Sequence, residues 1–192
     1  MCAYDPWDYN WEGNRFRHKG VQYVIEEQLT EEENVELAQR HVLTLAHEIE
    51  SGRQFMLKLS YDLDPEEFDI EDEDEHEEMV CDYSGFEADL VNFLHGIGHE
   101  PKLLDAYGYL QGENHPYESG AIYFIAMECV PGENVDEIRD ELTKEELQSI
   151  RRQLAYILNE MAKINRCFAN EDPACLRYDR RADKLYVVDL TH

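Results

Sequence analysis

Twelve of the seventeen residues from Asp62 to Glu78 are acidic. A run of that density resists burial, because like charges repel and every carboxylate keeps its water. It is expected to be a loop or a disordered insertion. The core must then come from the segments on either side, and a chain of 192 residues is long enough for one core of ordinary size, or for a small lobe packed on a larger one.

Ahead of the acidic run, Phe55 to Tyr61 reads Phe-Met-Leu-Lys-Leu-Ser-Tyr, a strand that carries one lysine, Lys58, among apolar neighbours. Behind it, Ser84 to Gly96 has helical spacing. Phe86, Leu90, Phe93 and Leu94 lie on one side, Glu87 shares a face with Leu90 and Leu94, and Gly96 with Gly98 ends the helix. Pro101 leads into a strand from Leu103 to Leu110, turn residues fill Gly112 to Gly120, and Ala121 to Val130 reads as a buried strand that pairs with the first. Pro131-Gly132 breaks it. A short helix is expected over Val135 to Leu142, and Thr143 with Glu146 forms a capping box ahead of a long helix. Leu147, Ile150, Leu154, Ile157, Leu158, Met161 and Ile164 mark that helix's buried face. Two short strands, Cys175 to Asp179 and Lys184 to Leu190, flank the polar turn Arg180 to Asp183 as a hairpin.

The first twenty residues follow neither period and are expected to form an arm docked by Tyr4, Trp7, Tyr9 and Trp11. Val21, Tyr23 and Ile25 alternate as in a strand. Thr30 with Glu33 then matches a capping box, and Leu37, Ala38, His41, Val42, Leu45, Ala46 and Ile49 recur at helical steps up to Gly52, so a helix is predicted there. His41 and His47 read as packed or surface histidines.

Forty-four acidic against 17 basic residues leave a formal charge of -27. That balance excludes nucleic acid and anionic membranes as partners and favours basic proteins, which the segment 62–78 would meet. The segment contains His76, but its spacing fits no EF-hand loop. No apolar run approaches the roughly 20 residues of a membrane helix, and the start of the chain, with Asp5, Trp7, Asp8 and Trp11, is no export signal. An intracellular protein of cytoplasm or nucleus is expected. Its five cysteines form no Cys-x-x-Cys pair and read as reduced thiols.

A strand with an isolated lysine, a helix with a glutamate, two strands, a Pro-Gly break, a long helix and a hairpin ending in aspartate together resemble the protein-kinase-like superfamily. The tail is most similar to its small fungal and aminoglycoside-phosphotransferase-type members. The resemblance implies an α+β fold, an antiparallel sheet with packed helices. An aromatic arm (1–20) would precede a kinase-like N-terminal lobe (21–130, with the acidic insertion 62–78) and a truncated start of the C-terminal lobe (131–192).

By the same resemblance Lys58 would hold nucleotide phosphates and pair with Glu87, and Glu128 and Val130 would border the nucleotide at the hinge. Asp189 falls on the metal-binding position, so ATP and magnesium are the implied cofactors. Matching Pro173-Ala174-Cys175-Leu176 to the family's Pro-x-Asn-Leu puts Cys175 in place of the metal-holding asparagine and Asn170 in place of the catalytic aspartate. Neither a thiol nor a carboxamide does the same work on a hard cation or a hydroxyl proton. Asp172, two residues from the required place, is the candidate rescue. Asp189 is followed by Leu190-Thr191-His192 rather than Phe-Gly, and the predicted helix over Glu31 to Glu50 stands where a Gly-x-Gly-x-x-Gly loop belongs.

The expected function is therefore that of a non-catalytic pseudokinase that binds a partner, with a protein or a second copy covering the face that truncation leaves open. The alternative is an atypical small phosphotransferase or ATP-binding sensor using Lys58, Glu87 and Asp189. Taken singly, these residues also read as a snorkelling strand lysine, a surface helix acid and a strand-end turn residue.

Overall fold

The computed structural model describes residues 7–68, 70, 73–118, 120–167 and 173–189. They fall in two compact units. One comprises the chain up to Phe86 together with Leu104–Glu128, the other Glu87–Leu103 together with the chain from Cys129.

The first unit is a six-stranded sheet of β1 (Arg15–His18), β2 (Val21–Asn34), β3 (Gln39–Glu48), β4 (Gln54–Asp62), β5 (Leu103–Leu110) and β6 (Ala121–Glu128). Their order across the sheet is β1-β2-β3-β4-β6-β5, and β1 to β4 run as successive antiparallel neighbours before β6 joins β4 antiparallel. The turn between β1 and β2 has both Lys19 and Gly20 at positive φ, 49° and 86°, the backbone twist that a two-residue hairpin demands.

Side chains alternate across β4. Phe55, Leu57, Leu59 and Tyr61 join Trp11, Ile25, Val42, Ala46, Ile122 and Phe124 in an apolar cluster on one face. Met56, Lys58, Ser60 and Asp62 take the other face, and β3 and β6 set Leu43 and Ile125 beside Lys58. A helix, α1 (Glu73–Gly96), touches that second face. His76 Nε2 lies 2.7 Å from the Leu37 carbonyl oxygen, and the rings of His41 and Tyr83 are 6.2 Å apart.

Three expectations change. The helix predicted from Thr30 to Gly52 is the β2–β3 hairpin, turning at Val35–Ala38. Register shifts between Ile25 and Glu27 and between Gln28 and Thr30 break the two-residue alternation of β2. Burial on both sides of β3 then gives that strand apolar residues at helical steps.

The acidic run is not one loop. Asp62 closes β4, Pro65–Phe68 form a 3-10 turn, and the run ends inside α1.

The aromatic arm is core and strand. Trp11 is 0% exposed, its backbone N–H donates to Gln28 Oε1 at 3.1 Å, and its ring lies 5.3 Å from that of Tyr61. β1 follows directly. Tyr4 lies outside the described residues.

β1 and β5, at opposite ends of the strand order, meet through side chains. His18 stacks on Tyr107 at 3.7 Å, and its ring nitrogens lie 2.6 Å from the Tyr109 hydroxyl and 3.1 Å from Asp105. Lys19 adds an ion pair to Asp105 at 2.6 Å. Burial raises the Asp105 pKa, but Lys19 and His18 outweigh it and leave the carboxyl below its ordinary range. The sheet is therefore curled so that its outer strands approach each other.

In the second unit β7 (Glu133–Asn134), β8 (Leu176–Asp179) and β9 (Lys184–Val187) form an antiparallel sheet. Between β7 and β8 run α2 (Val135–Ile138), a 3-10 turn (Arg139–Glu141) and α3 (Lys144–Lys163). The capping box of α3 is as expected: Glu146 N–H donates to Thr143 Oγ1 at 3.2 Å, and Thr143 N–H to Glu146 Oε2 at 2.8 Å. Ile150, Ile157 and Met161 are buried, whereas Leu158 and Ile164 of the expected stripe are exposed. Gly132 has φ of 106°, and a Cβ there would come within 2.6 Å of the Tyr178 carbonyl carbon, so the Pro-Gly break needs its glycine.

The β8–β9 turn is tied to α3 through Asp183, whose Oδ1 accepts from Ser149 and from the Tyr178 hydroxyl, both at 2.6 Å. Those two hydrogen bonds hold the Asp183 carboxyl below its ordinary range. Burial, with Asp183 beside it, pushes the Tyr178 phenol up to about 12. Among the described residues no helix is long and apolar enough to cross a membrane, and the four described cysteines are free thiols.

Trp11→Ala is expected to lower stability by about 3–5 kcal/mol, read as a lower urea midpoint; a change near zero would mean the arm is not part of the core. Because folding depresses the Asp183 pKa, the stability it adds is present at neutral pH and is lost as pH falls through the depressed value. Asp183→Asn is expected to cost about 1 kcal/mol at neutral pH and to flatten the acid limb of a stability-against-pH series.

Candidate functional site

Among the described residues, those singled out above have a definite place. Lys58 sits in the middle of β4 and is 2% exposed. It is a buried strand lysine rather than a snorkelling one, and a buried ammonium is costly unless an anion or hydrogen-bond acceptors surround it. Glu87, in α1, is 3% exposed and is no surface acid. The two fall in different compact units.

Glu128 ends β6, exposed, with the Arg53 guanidinium 3.7 Å from its carboxylate. Val130 is half-buried beyond it. The structure brings Cys175 and Asp189 to the same end of the β8–β9 hairpin: Leu176 pairs with Val187, and Val188 N–H donates to the Cys175 carbonyl at 2.8 Å. Both are half-buried. Asn134 Nδ2 donates to the neighbouring Ala174 carbonyl at 3.2 Å. Asn170 and Asp172 lie outside the described residues.

The β2–β3 turn stands where the helix had been predicted. Leu37 N–H donates to Asn34 Oδ1 at 3.1 Å, and Ala38 N–H to the Val35 carbonyl at 3.3 Å. No glycine occurs between Gly20 and Gly52. Glu32, Glu33 and Glu36 are exposed around the turn, and Glu33 is paired with Arg40 at 2.8 Å.

Sequence reasoning missed Asp62, which it had assigned to the acidic loop. Asp62 is a buried junction of the first unit. Gln39 Nε2 donates to Oδ1 at 2.8 Å and Ala121 N–H to Oδ2 at 2.6 Å, while Gln111 Nε2 donates to the backbone carbonyl at 2.8 Å. The available signal was its even spacing from Met56, Lys58 and Ser60 along one strand. His76, expected within a solvated acidic loop, is instead buried against Leu37. Among the described residues no three His, Cys, Asp or Glu side chains are placed to hold a metal ion.

No known family's sequence profile matches the chain, and no curated protein matches it. Solved structures do. The kinase PK-1 of the Cydia pomonella granulovirus aligns over 88% of this chain and 50% of its own at 18% identity, with a TM-score of 0.52. The autoinhibited serine kinase domain of the giant muscle protein titin aligns over 88% of this chain and 44% of its own at 15% identity, with a TM-score of 0.49. The chain thus spans about half the length of the viral kinase. With its antiparallel sheet, a buried strand lysine, a helix on one sheet face and the β8–β9 hairpin beyond, this chain has a protein-kinase-like fold.

Proposed function

We propose that this chain is a non-catalytic kinase-like protein that acts by binding another protein. The observation that carries the reading is the β2–β3 turn. In this fold the turn between the first two long strands offers backbone N–H groups to nucleotide phosphates. Here the N–H groups of Leu37 and Ala38 are already donated within the turn. There is no glycine to let phosphate approach, and the exposed carboxylates of Glu32 and Glu36 repel it.

The second support is the pair of exchanges at Cys175 and Asn170. A thiol is a soft ligand and a poor substitute for the oxygen donors that magnesium requires. The residues therefore do not fit a magnesium nucleotide, and no phosphoryl-transfer step is assigned to them. Protein binding agrees with the large apolar side chains left exposed on the helices, Met79 and Phe86 on α1 and Tyr156 and Leu158 on α3.

One observation favours a second reading, an ATP-binding sensor built on Lys58, Glu87 and Asp189: Lys58 and Glu87 are both buried rather than solvated. A thermal-shift titration separates the two. Magnesium-ATP at millimolar concentration is expected to leave the melting temperature of the wild-type chain, of Lys58→Met and of Asp189→Asn unmoved. A ligand at a hundred times its Kd stabilises by about 2.7 kcal/mol. A wild-type shift of that order, abolished by both substitutions, would replace the non-catalytic reading with the sensor.

A further inference from the structure

The buried stripe of α1 runs through His76, Val80, Glu87, Leu90, Val91 and Leu94. At about 100° per residue, Tyr83 falls near the edge of that stripe beside Leu90, Met79 and Phe86 follow outward on the same side, and Asp82 and Glu78 lie beyond them. Tyr83 is half-buried, Met79 is 46% exposed and Phe86 is 51% exposed. These five residues line a hollow of about 440 Å³, all within the first unit. Along the helix axis it extends for about 12 Å, roughly two turns.

We propose that this flank of α1 is a docking groove for a cationic amphipathic segment of another protein. Apolar side chains of the segment would seat on Met79, Tyr83 and Phe86, and its lysines or arginines would face Glu78 and Asp82. Charge complementarity selects this occupant. An apolar surface rimmed by two carboxylates, on a chain of formal charge -27, attracts a basic partner and repels an anionic membrane. It also disfavours a second copy of the same chain, which would bring its own excess of negative charge.

The proposal rests on the reading that the chain works by binding protein, and it names the chemistry of what is bound. It adds to the acidic run as a source of attraction for basic proteins a surface with shape and apolar content, which charge alone lacks.

The test uses the full chain and fluorescence anisotropy. The probe is a labelled synthetic helical peptide with leucines on one face and lysines and arginines on the other, compared with a twin in which every basic residue is glutamate. The cationic peptide is expected to bind and its twin not to. The double variants Met79→Ala/Phe86→Ala and Glu78→Lys/Asp82→Lys are each expected to weaken binding by about tenfold or more, with circular dichroism unchanged because the altered side chains are surface groups. Glu66→Lys/Glu67→Lys makes the same change in net charge at exposed acids outside the groove and is expected to leave binding within about twofold.

Equal losses in the two charge-reversal variants, or none in Met79→Ala/Phe86→Ala, would overturn the proposal by reducing the effect to bulk charge. Self-association of the free chain, abolished by Met79→Ala/Phe86→Ala, would overturn it in favour of a second copy. Absence of peptide binding alongside an unmoved magnesium-ATP melting temperature would remove the groove and leave the non-catalytic reading intact. A nucleotide shift lost in Lys58→Met would remove the reading beneath it.

Discussion

Strand β4 is covered on both faces, and that double burial sets the terms for the first unit. On one side it supports the aromatic layer with Trp11 and Phe124; on the other it carries Lys58 and Asp62 through interior positions. Charged groups survive inside a protein only when hydrogen bonds or opposite charges surround them. For Asp62 the surroundings are visible: two amide side chains and one backbone N–H arrive from β3, from the end of β5 and from the start of β6. The carboxylate therefore ties β3 and the start of β6 to the end of β4, while the backbone carbonyl of the same residue holds Gln111, and removal of the carboxylate would leave the Gln39 amide and the Ala121 N–H without an acceptor.

The elements that could be read from sequence were those whose burial is one-sided or whose ends carry strong local chemistry. α3 combines a real capping box with an apolar stripe, and β4, β5 and β6 are bounded by turn residues. The β2–β3 hairpin was illegible for three physical reasons. Thr30 and Glu33 match a capping box at the level of residue types although they lie in mid-strand. Irregular pairing erases the alternation of β2. Glutamate favours helices, yet here it is tolerated in a strand because tertiary packing overrides propensity. The acidic run misled in a related way, since density of charge predicts solvation but not the point where solvation ends; Asp62 lies before that point, and Glu73 to Glu78 are already helical.

The candidate site was legible one residue at a time. Lys58 stood out as a charge in an apolar strand, and the hairpin after α3 was visible from its turn, which put Cys175 and Asp189 at one end of it. The condition of the β2–β3 turn was not legible, because it depends on which carbonyl and side chain accept from Leu37 and Ala38. The groove on α1 was hidden for a similar reason: Phe86 was expected on the buried side with Leu90, and only the packing of Val80 and Glu87 shows that it lies outside that stripe.

The meeting of β1 with β5 bears on how the chain behaves in a crowded solution. A terminal strand normally presents unpaired amides and carbonyls on which other chains can build, the usual route to ordered aggregates. Here the two outer strands turn toward each other, with the imidazole of His18 lying flat on Tyr107 and the Tyr109 hydroxyl 3.3 Å from the Arg17 carbonyl oxygen. The Arg17 carbonyl is thereby one edge acceptor already engaged inside the sheet rather than offered to an incoming strand.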